Sequence, residues 1–413
     1  MNSLQRLQSA ANFEPYDRPP FADNEWNDGL VEIVPHFSGC PVRGDRRYSQ
    51  AERAAAVRAT LDMLPWSAIY DHPRCPVLGD MPQRVDGQRV LDEDGFAWII
   101  RSQTEWVERR PFSDLAGFVA YLDRKSAQFR AEPPSLSAVT PQWGSAHREA
   151  VERGRMGADG SPDFEARLRA ARRALGEVVI AIPYMGFGLD DLYRLAGWDL
   201  FASAVCEAPE AIAVYLDALA DRNIRLILQY ARVLPASQSP VALVYSDIAC
   251  NTGLLVSPRF LRLALFPAVR KVCAAYHQHG IKVVYHSEGN LRKILDELIE
   301  TGVDGINPLS PSEGMDAVEI RRLYPRLILW GGIDERAVLA CGRSAADIRR
   351  EVERVVAGVG CGLILGSSGG VHPGCSANDL IAMIEALRGI PLAHAIPQRR
   401  FNSVKQVHQK EEI

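Results

Sequence analysis

The stretch KVVYHSEGNLRKILDELIE, residues 282–300, runs from a short β-branched segment through a polar turn into a helical repeat. Val283, Val284 and Tyr285 form an apolar run of the kind found in strands buried on both faces of a parallel sheet. Leu291, Ile294, Leu295, Leu298 and Ile299 then fall at i, i+3, i+4, i+7 and i+8, which draws one apolar stripe down a helix. A strand feeding a helix that packs back on the sheet is one β/α unit. Between the two lie His286, Glu288 and Asn290.

The same rhythm extends in both directions. VVIAIP (178–183), VALVYSDI (241–248), DGINPLS (304–310), LILWGGID (327–334) and GLILGSS (362–368) are further strand candidates separated by helical segments. Ser257-Pro258 and Gly280 bracket one helix as N-cap, first-turn proline and stop, and Ser344 and Ser376 each precede an Asp by three residues, as in a short-armed capping box. Upstream, LVEIVPHF (30–37) and WSAIYDHP (66–73) read as two earlier strands around a helix at 50–63. Eight β/α units predict an α/β chain folded as a TIM (β/α)8 barrel, whose reactive groups stand after the C-terminal ends of the strands. Residues 1–73 then form an N-terminal extension with the first two units, and 178–395 form the other six. Residues 74–177 are an inserted α+β segment after strand 2, with Asp-Gly turns in QRVDGQRV and DEDGFAWII marking a hairpin, placed to act as a lid or substrate wall. The Pro- and Ser-rich run near 132–146 reads as a loop, and 396–413 as a mobile tail.

The 413 residues, 47% hydrophobic and 24% charged, can bury a large core. A net charge of -4 without blocks of like charge points away from nucleic acid. No run approaches the roughly 20 apolar residues of a membrane span, and the first residues lack a secretory apolar core, so a cytoplasmic enzyme is expected. The eight cysteines contain no Cys-x-x-Cys pair and are expected as reduced thiols.

On such a barrel the polar residues at strand ends converge on one mouth. Asp71 and His72 end strand 2, Tyr184 follows strand 3 and Asp247 ends strand 4; His286, Glu288 and Asn290 follow strand 5, Asn307 lies in strand 6, Asp334 ends strand 7, and Ser367, Ser368, His372 and Cys375 follow strand 8. Residues two apart on a strand face the same way, so His286 and Glu288 can grip one ion or one substrate group. Zinc accepts both donor types and needs a third ligand, for which His372, Cys375 and Asp247 are candidates. The alternative is that the pair hydrogen-bonds neighbouring loops. Asp247, after an apolar run, suits proton transfer or pairing with a cation, or else anchors its loop. Trp330-Gly331-Gly332 allows close approach of backbone to a ligand, Asp334 either touches that ligand or caps the next helix, and Gly366–Gly370 offers hydroxyls and N–H donors to an anion. Cys375 reads as a buried thiol or a ligand.

SDIACNTGLLVSPRFLRLALFPAVRKV (246–272), HQHGIKVVYHSEGN (277–290), ELIETGVDGINPLS (297–310), LILWGGIDERAVLACGRSAADI (327–348) and GLILGSSGGVHPGCSANDLIAMIEAL (362–387) together resemble the uroporphyrinogen decarboxylase superfamily. The similarity is greatest to its corrinoid-dependent methyltransferase and O-demethylase branch. The resemblance implies a TIM barrel and one of two chemistries. The decarboxylases use no cofactor and hold porphyrinogen carboxylates with arginines in a Pro-x-Trp-x-Met-Arg-Gln-Ala-Gly-Arg stretch. Here that region is GCPVRGDRRYS (39–49), in which only Arg43, Arg46 and Arg47 offer a partial substitute, and the family histidine after strand 8 falls near Ser368 or Gly369. The family's aspartate after strand 2 corresponds to Asp71.

The methyltransferases commonly carry zinc on a His-x-Cys after strand 5 and a Cys after strand 8, where this chain has His286-Ser287-Glu288 and Ser368. The thiolate-rich site is thereby lost, and a His-Glu pair suits a methyl group leaving oxygen or nitrogen with acid assistance. The resemblance thus implies a methyltransferase taking a methyl group from a small methoxy or methylamino donor to the cobalamin of a separate corrinoid protein. Its catalytic candidates are Asp247, His286, Glu288 and His372. Asp71, Tyr184, Asn290, Asn307, Trp330, Asp334 and Ser368 are the substrate-binding candidates, and His286, Glu288 and Cys375 the zinc-binding ones. Segment 74–177 is expected to close over substrate or to cover a subunit neighbour in a homodimer. A cofactor-free decarboxylase using Asp71 and the 43–47 arginines is the second expectation, and an inactive tetrapyrrole- or partner-binding barrel the third.

Overall fold

The computed structural model describes residues 1–23, 26–45, 47–70, 76–79, 87–101, 104–131, 164–371 and 375–389. A six-stranded sheet runs in the spatial order Leu363–Ser367, Ile328–Ile333, Gly305–Asn307, Lys282–His286, Val241–Tyr245, Met185–Gly186, every neighbouring pair parallel. A second parallel pair joins Met63–Pro65 to Val179–Ala181. Residues 20–22 lie between the two sheets: Leu365 N donates to Pro20 O and Ala22 N to Leu365 O on one side, and Asp62 N donates to Phe21 O on the other. The architecture is α/β, with parallel strands separated by helices.

The strands are buried on both faces, which is why they read as continuous apolar runs. Leu243, Val284, Ile328, Trp330 and Ile364 meet Leu7, Ala10 and Ala11 from the helix Ser3–Asn12 in one apolar cluster, so the N-terminal helix packs against the strands. Asp62, only 1% exposed, ties this helix down: it accepts hydrogen bonds from Ser3 Oγ (2.8 Å), Arg6 (3.1 Å), Arg18 (2.6 Å) and Phe21 N (2.8 Å).

The first two expected strands require correction. Residues 30–37 lie in a helix, Trp26–Ser38, because Leu30, Ile33 and Val34 are spaced one helical turn apart and all three are buried. The neighbouring parallel segment is the short stretch 20–22. Likewise the strand expected at 66–73 is Met63–Pro65, followed by the helix Trp66–Tyr70; residues 71–73 lie outside the described residues. Ser257 and Ser344 cap their helices as expected, Ser344 through a full capping box with Asp347.

Between 74 and 177 the described residues form an antiparallel sheet of Arg89–Leu91, Ala97–Arg101 and Thr104–Arg109 and two helices, Leu115–Ala131 and Phe164–Leu175. The turn at Asp94-Gly95 is organised by Asp92, whose carboxylate accepts from Phe96 N (2.9 Å) and Trp98 Nε1 (2.8 Å). The 132–146 run and the 396–413 tail lie outside the described residues. Among the described residues no helix is long and apolar enough to cross a membrane.

Candidate functional site

The turns after Val241–Tyr245 and Lys282–His286 are laced together. Ser246 N donates to His286 O (3.2 Å), Ile248 N to Ser287 Oγ (3.0 Å), and Glu288 N to Asp247 Oδ1 (2.9 Å). Two glycines make this possible. Gly289 has φ +85°, and a Cβ there would stand 2.4 Å from Cys250 N; Gly369 has φ +95°, and a Cβ there would stand 2.5 Å from Glu288 Oε1.

Above these turns opens a cavity of about 270 Å³ lined by Asp247, His286, Glu288 and Ser368, together with Ser310, Glu313, Glu335, Arg336 and Gly369. The first four are sequence candidates; of the others, Ser310 and Gly369 follow strands, Glu313 ends the short 3-10 turn Pro311–Glu313, and Glu335 and Arg336 open the helical turn Glu335–Leu339 that Asp334 caps. His286 sits with its side chain 12% exposed and its Nε2 3.9 Å from Asp247 Oδ1. Its other nitrogen, Nδ1, is 2.6 Å from Asn307 Oδ1, while Asn307 Nδ2 donates to Trp330 O (3.1 Å). The amide is thereby oriented with its oxygen toward the imidazole, so Nδ1 is the donating nitrogen and Nε2 is the one turned to Asp247. Glu313 accepts from Gly289 N (3.0 Å), and Ser368 Oγ from Glu335 N (3.0 Å).

Charge on this side of the molecule is strongly negative. Burial, followed by the charges of Asp191 and Asp247, pushes Asp190 above the usual carboxylate range, although the Ser246 hydroxyl donates to it at 2.8 Å. Burial raises Asp191 as well, against the opposing charge of Arg194. An imidazole with fixed orientation beside a carboxylate is a proton-handling pair.

The remaining candidates stand elsewhere. Asn307 and Trp330 lie beneath the cavity, Trp330 with its Nε1 on Ala22 O (2.8 Å) and its ring 6.4 Å from that of Tyr184. Tyr184 packs against the apolar cluster around the N-terminal helix. Asn290 anchors its turn, donating from N to Cys250 O (3.0 Å) and accepting from Arg292 N (3.1 Å). Asp334 is the helix cap: its carboxylate accepts from Ala337 N and Ser312 N, both 2.8 Å, and these bonds outweigh burial to hold its pKa low. Cys375 Sγ lies 3.7 Å from Glu335 Oε1. Asp71 and His372 lie outside the described residues. Among the described residues no three His, Cys, Asp or Glu side chains are grouped to hold a metal ion, so these residues alone do not make a zinc site. Asp190 and Asp191, four to five residues beyond a strand, carried no sequence signal beyond their adjacency.

Residues 197–390 match the model of the uroporphyrinogen decarboxylase (URO-D) family. This part of the chain is a URO-D domain. It contains every residue on the cavity lining, whereas the parallel segments at 20–22, 63–65 and 179–186 precede it. Among solved structures, a methyltransferase from Methanosarcina mazei aligns over 94% of this chain and 98% of its own with a TM-score of 0.58 and 18% identity, a likeness of fold. A sugar phosphate isomerase/epimerase from Parabacteroides distasonis aligns over 67% of this chain and 92% of its own at 12% identity, with a TM-score of 0.32 that carries no argument. No curated protein matches the chain.

Proposed function

We propose that this protein is a methyltransferase that moves a methyl group from a small methylated donor to the cobalt of a corrinoid carried by a separate protein. In this reading the parallel strands, with 20–22 as the first, form a closed (β/α)8 barrel, and 74–177 is an inserted wall beside its mouth. The observation that carries the reading is the joint placement of His286, Asp247 and Glu288 on one cavity. At about 270 Å³ the cavity is smaller than pockets that enclose drug-sized ligands, so it accommodates a small donor and leaves a corrin ring outside, at the mouth. The corrinoid, when docked, supplies the methyl acceptor. His286, held by Asn307, turns Nε2 toward the leaving heteroatom and with Asp247 manages its proton. Glu288 orients the donor through its charge. A zinc ion on His286 and Glu288, completed by a residue such as Cys375 or His372, is the alternative way to assist departure.

The decarboxylase reading fares worse. Arg43 is engaged by Glu52 at 2.6 and 2.7 Å on the surface of the helix Gln50–Thr60, and four carboxylates around the cavity repel a polycarboxylate substrate. The test is to mix purified protein with a reduced corrinoid protein and a panel of O- and N-methyl donors and to follow the cobalt absorption spectrum. Substrate-dependent change that His286→Ala abolishes supports the reading. A flat response across the panel, with carbon dioxide released from an aromatic carboxylate, overturns it. Elemental analysis of the same sample tests the zinc alternative.

A further inference from the structure

We propose that Asp334 is a positioning residue: one buried carboxylate that ties together the turns after successive strands and so places much of the cavity lining, although it does not line the cavity itself. The placing stands on hydrogen bonds alone; only its effect on turnover rests on the methyl-transfer reading.

The turns at the mouth are joined by backbone amides that donate to side chains. Glu288 N donates to Asp247 Oδ1 (2.9 Å), linking the turns after Val241–Tyr245 and Lys282–His286. Gly289 N donates to Glu313 Oε2 (3.0 Å), across to the turn after Gly305–Asn307, and Glu335 N to Ser368 Oγ (3.0 Å), across to the turn after Leu363–Ser367. The joint between is Asp334, only 2% exposed. Its Oδ1 accepts from Ala337 N (2.8 Å) in its own helical turn Glu335–Leu339, and its Oδ2 from Ser312 N (2.8 Å) in the preceding turn Pro311–Glu313. The Ser310 hydroxyl lies 3.5 Å from the same Oδ2. Asp334 thus divides its two oxygens between two turns.

Those two turns carry Ser310, Glu313, Glu335 and Arg336, four of the nine residues on the cavity. Capping a helical turn needs only one acceptor, and a serine caps about as well as an aspartate. The second oxygen is surplus to the cap, and an amide bonded to a charged acceptor makes one of the stronger hydrogen bonds. It is spent on Ser312, which fixes the next residue, Glu313. The Glu313 carboxylate in turn takes the amide of Gly289, beside Glu288. Placement therefore passes from Asp334 through Glu313 to a third turn, the one that follows His286. A residue that only capped its helix would have no hold on that turn.

The experiment compares Asp334→Ser and Asp334→Ala with the wild type by amide hydrogen exchange of the full chain, read peptide by peptide. Serine keeps the cap on Ala337 N and is too short to bond Ser312 N as well, so the serine variant alone decides the question and needs no uncapped protein to fold. In Asp334→Ser the peptides covering 309–315 and 286–291 should exchange at least about tenfold faster, while 335–341 stays protected and the denaturation midpoint stays close to that of the wild type. Asp334→Ala should speed all three. In the methyl-transfer assay Asp334→Ser should lower kcat at least about tenfold, and by more than it raises KM. Wild-type exchange at 286–291 in Asp334→Ser would show a cap and nothing more, and overturns the proposal. An unaltered kcat in that variant, with an active wild type, overturns it as well. The expected exchange pattern in a protein that moves no methyl group to any corrinoid partner leaves this inference standing and removes the methyl-transfer reading.

Discussion

Asn307 holds His286 by a 2.6 Å hydrogen bond to Nδ1 and is itself fixed by donating to the Trp330 carbonyl, so a buried amide decides which imidazole nitrogen faces the cavity. Asn307→Leu should release the ring while keeping most of the side-chain volume. Imidazole ¹⁵N chemical shifts should then lose the Nδ1-protonated signature, and turnover should fall about 10–100-fold, the usual effect of losing a group that orients a functional histidine. Asn307→Asp places a negative charge against the ring and should raise the His286 pKa, moving any activity limb governed by it to higher pH. Unchanged nitrogen shifts in both variants would show that Asn307 does not set the tautomer.

Gly369 and Glu288 cannot both keep their positions once residue 369 carries a Cβ, since that atom would stand 2.5 Å from Glu288 Oε1 on a backbone of φ +95°. Gly369→Ala should cost about 1–2 kcal/mol from the left-handed backbone alone. It should also displace the carboxylate, so turnover should fall by more than stability does. In a Glu288→Ala background the steric part disappears and only the backbone cost remains. Urea unfolding of the four proteins in this cycle measures the coupling, and strict additivity would refute the contact.

Much of this arrangement was legible in the sequence, for definite reasons. The parallel strands from 179 onward are buried on both faces, so they stand out as β-branched runs, and the rule that barrel chemistry lies after strand ends singled out Asp247, His286, Glu288 and Ser368. The first parallel segment escaped notice because three residues, 20–22, carry no pattern, while the apolar run at 30–37 drew attention as a strand although its Leu30, Ile33, Val34 spacing is helical. Glu313 reaches the cavity from the short turn Pro311–Glu313, and Glu335 and Arg336 from the first turn after the Asp334 cap, so their direction is set by how these turns pack. No local spacing identifies them. Asp334 and Glu288 are both acids after strands, and only the hydrogen bonds from Ser312 and Ala337 reveal that the first is a cap.

Asp62 should matter for stability rather than for chemistry. It is buried and gathers Ser3, Arg6, Arg18 and the Phe21 amide, joining the N-terminal helix to the first parallel segment. Asp62→Ala leaves two guanidiniums facing a cavity and should cost about 3 kcal/mol, the low end for breaking a buried ion pair, because Arg6 and Arg18 remain 15% and 20% exposed. The denaturation midpoint should drop while turnover at the opposite end of the strands is retained at low temperature. A variant of native stability would mean that the helix Ser3–Asn12 is held by its apolar contacts alone.

Asp190 gives stability a pH dependence with a definite sign. Burial and the charges of Asp191 and Asp247 raise its pKa in the folded protein above its value in the unfolded chain. Between those two values the folded state holds the proton and the unfolded state has lost it, so each unit of rising pH removes up to about 1.4 kcal/mol of stability. The loss begins at the ordinary carboxylate range and ends once pH passes the raised folded value. Asp190→Asn keeps an oxygen to accept the 2.8 Å bond from Ser246 but cannot ionise. The variant should therefore gain on the wild type as pH is raised from about 5 through neutrality, with the two denaturation curves closest at the acid end. Curves that stay parallel across that range would show that Asp190 ionises as freely in the folded chain as in the unfolded one.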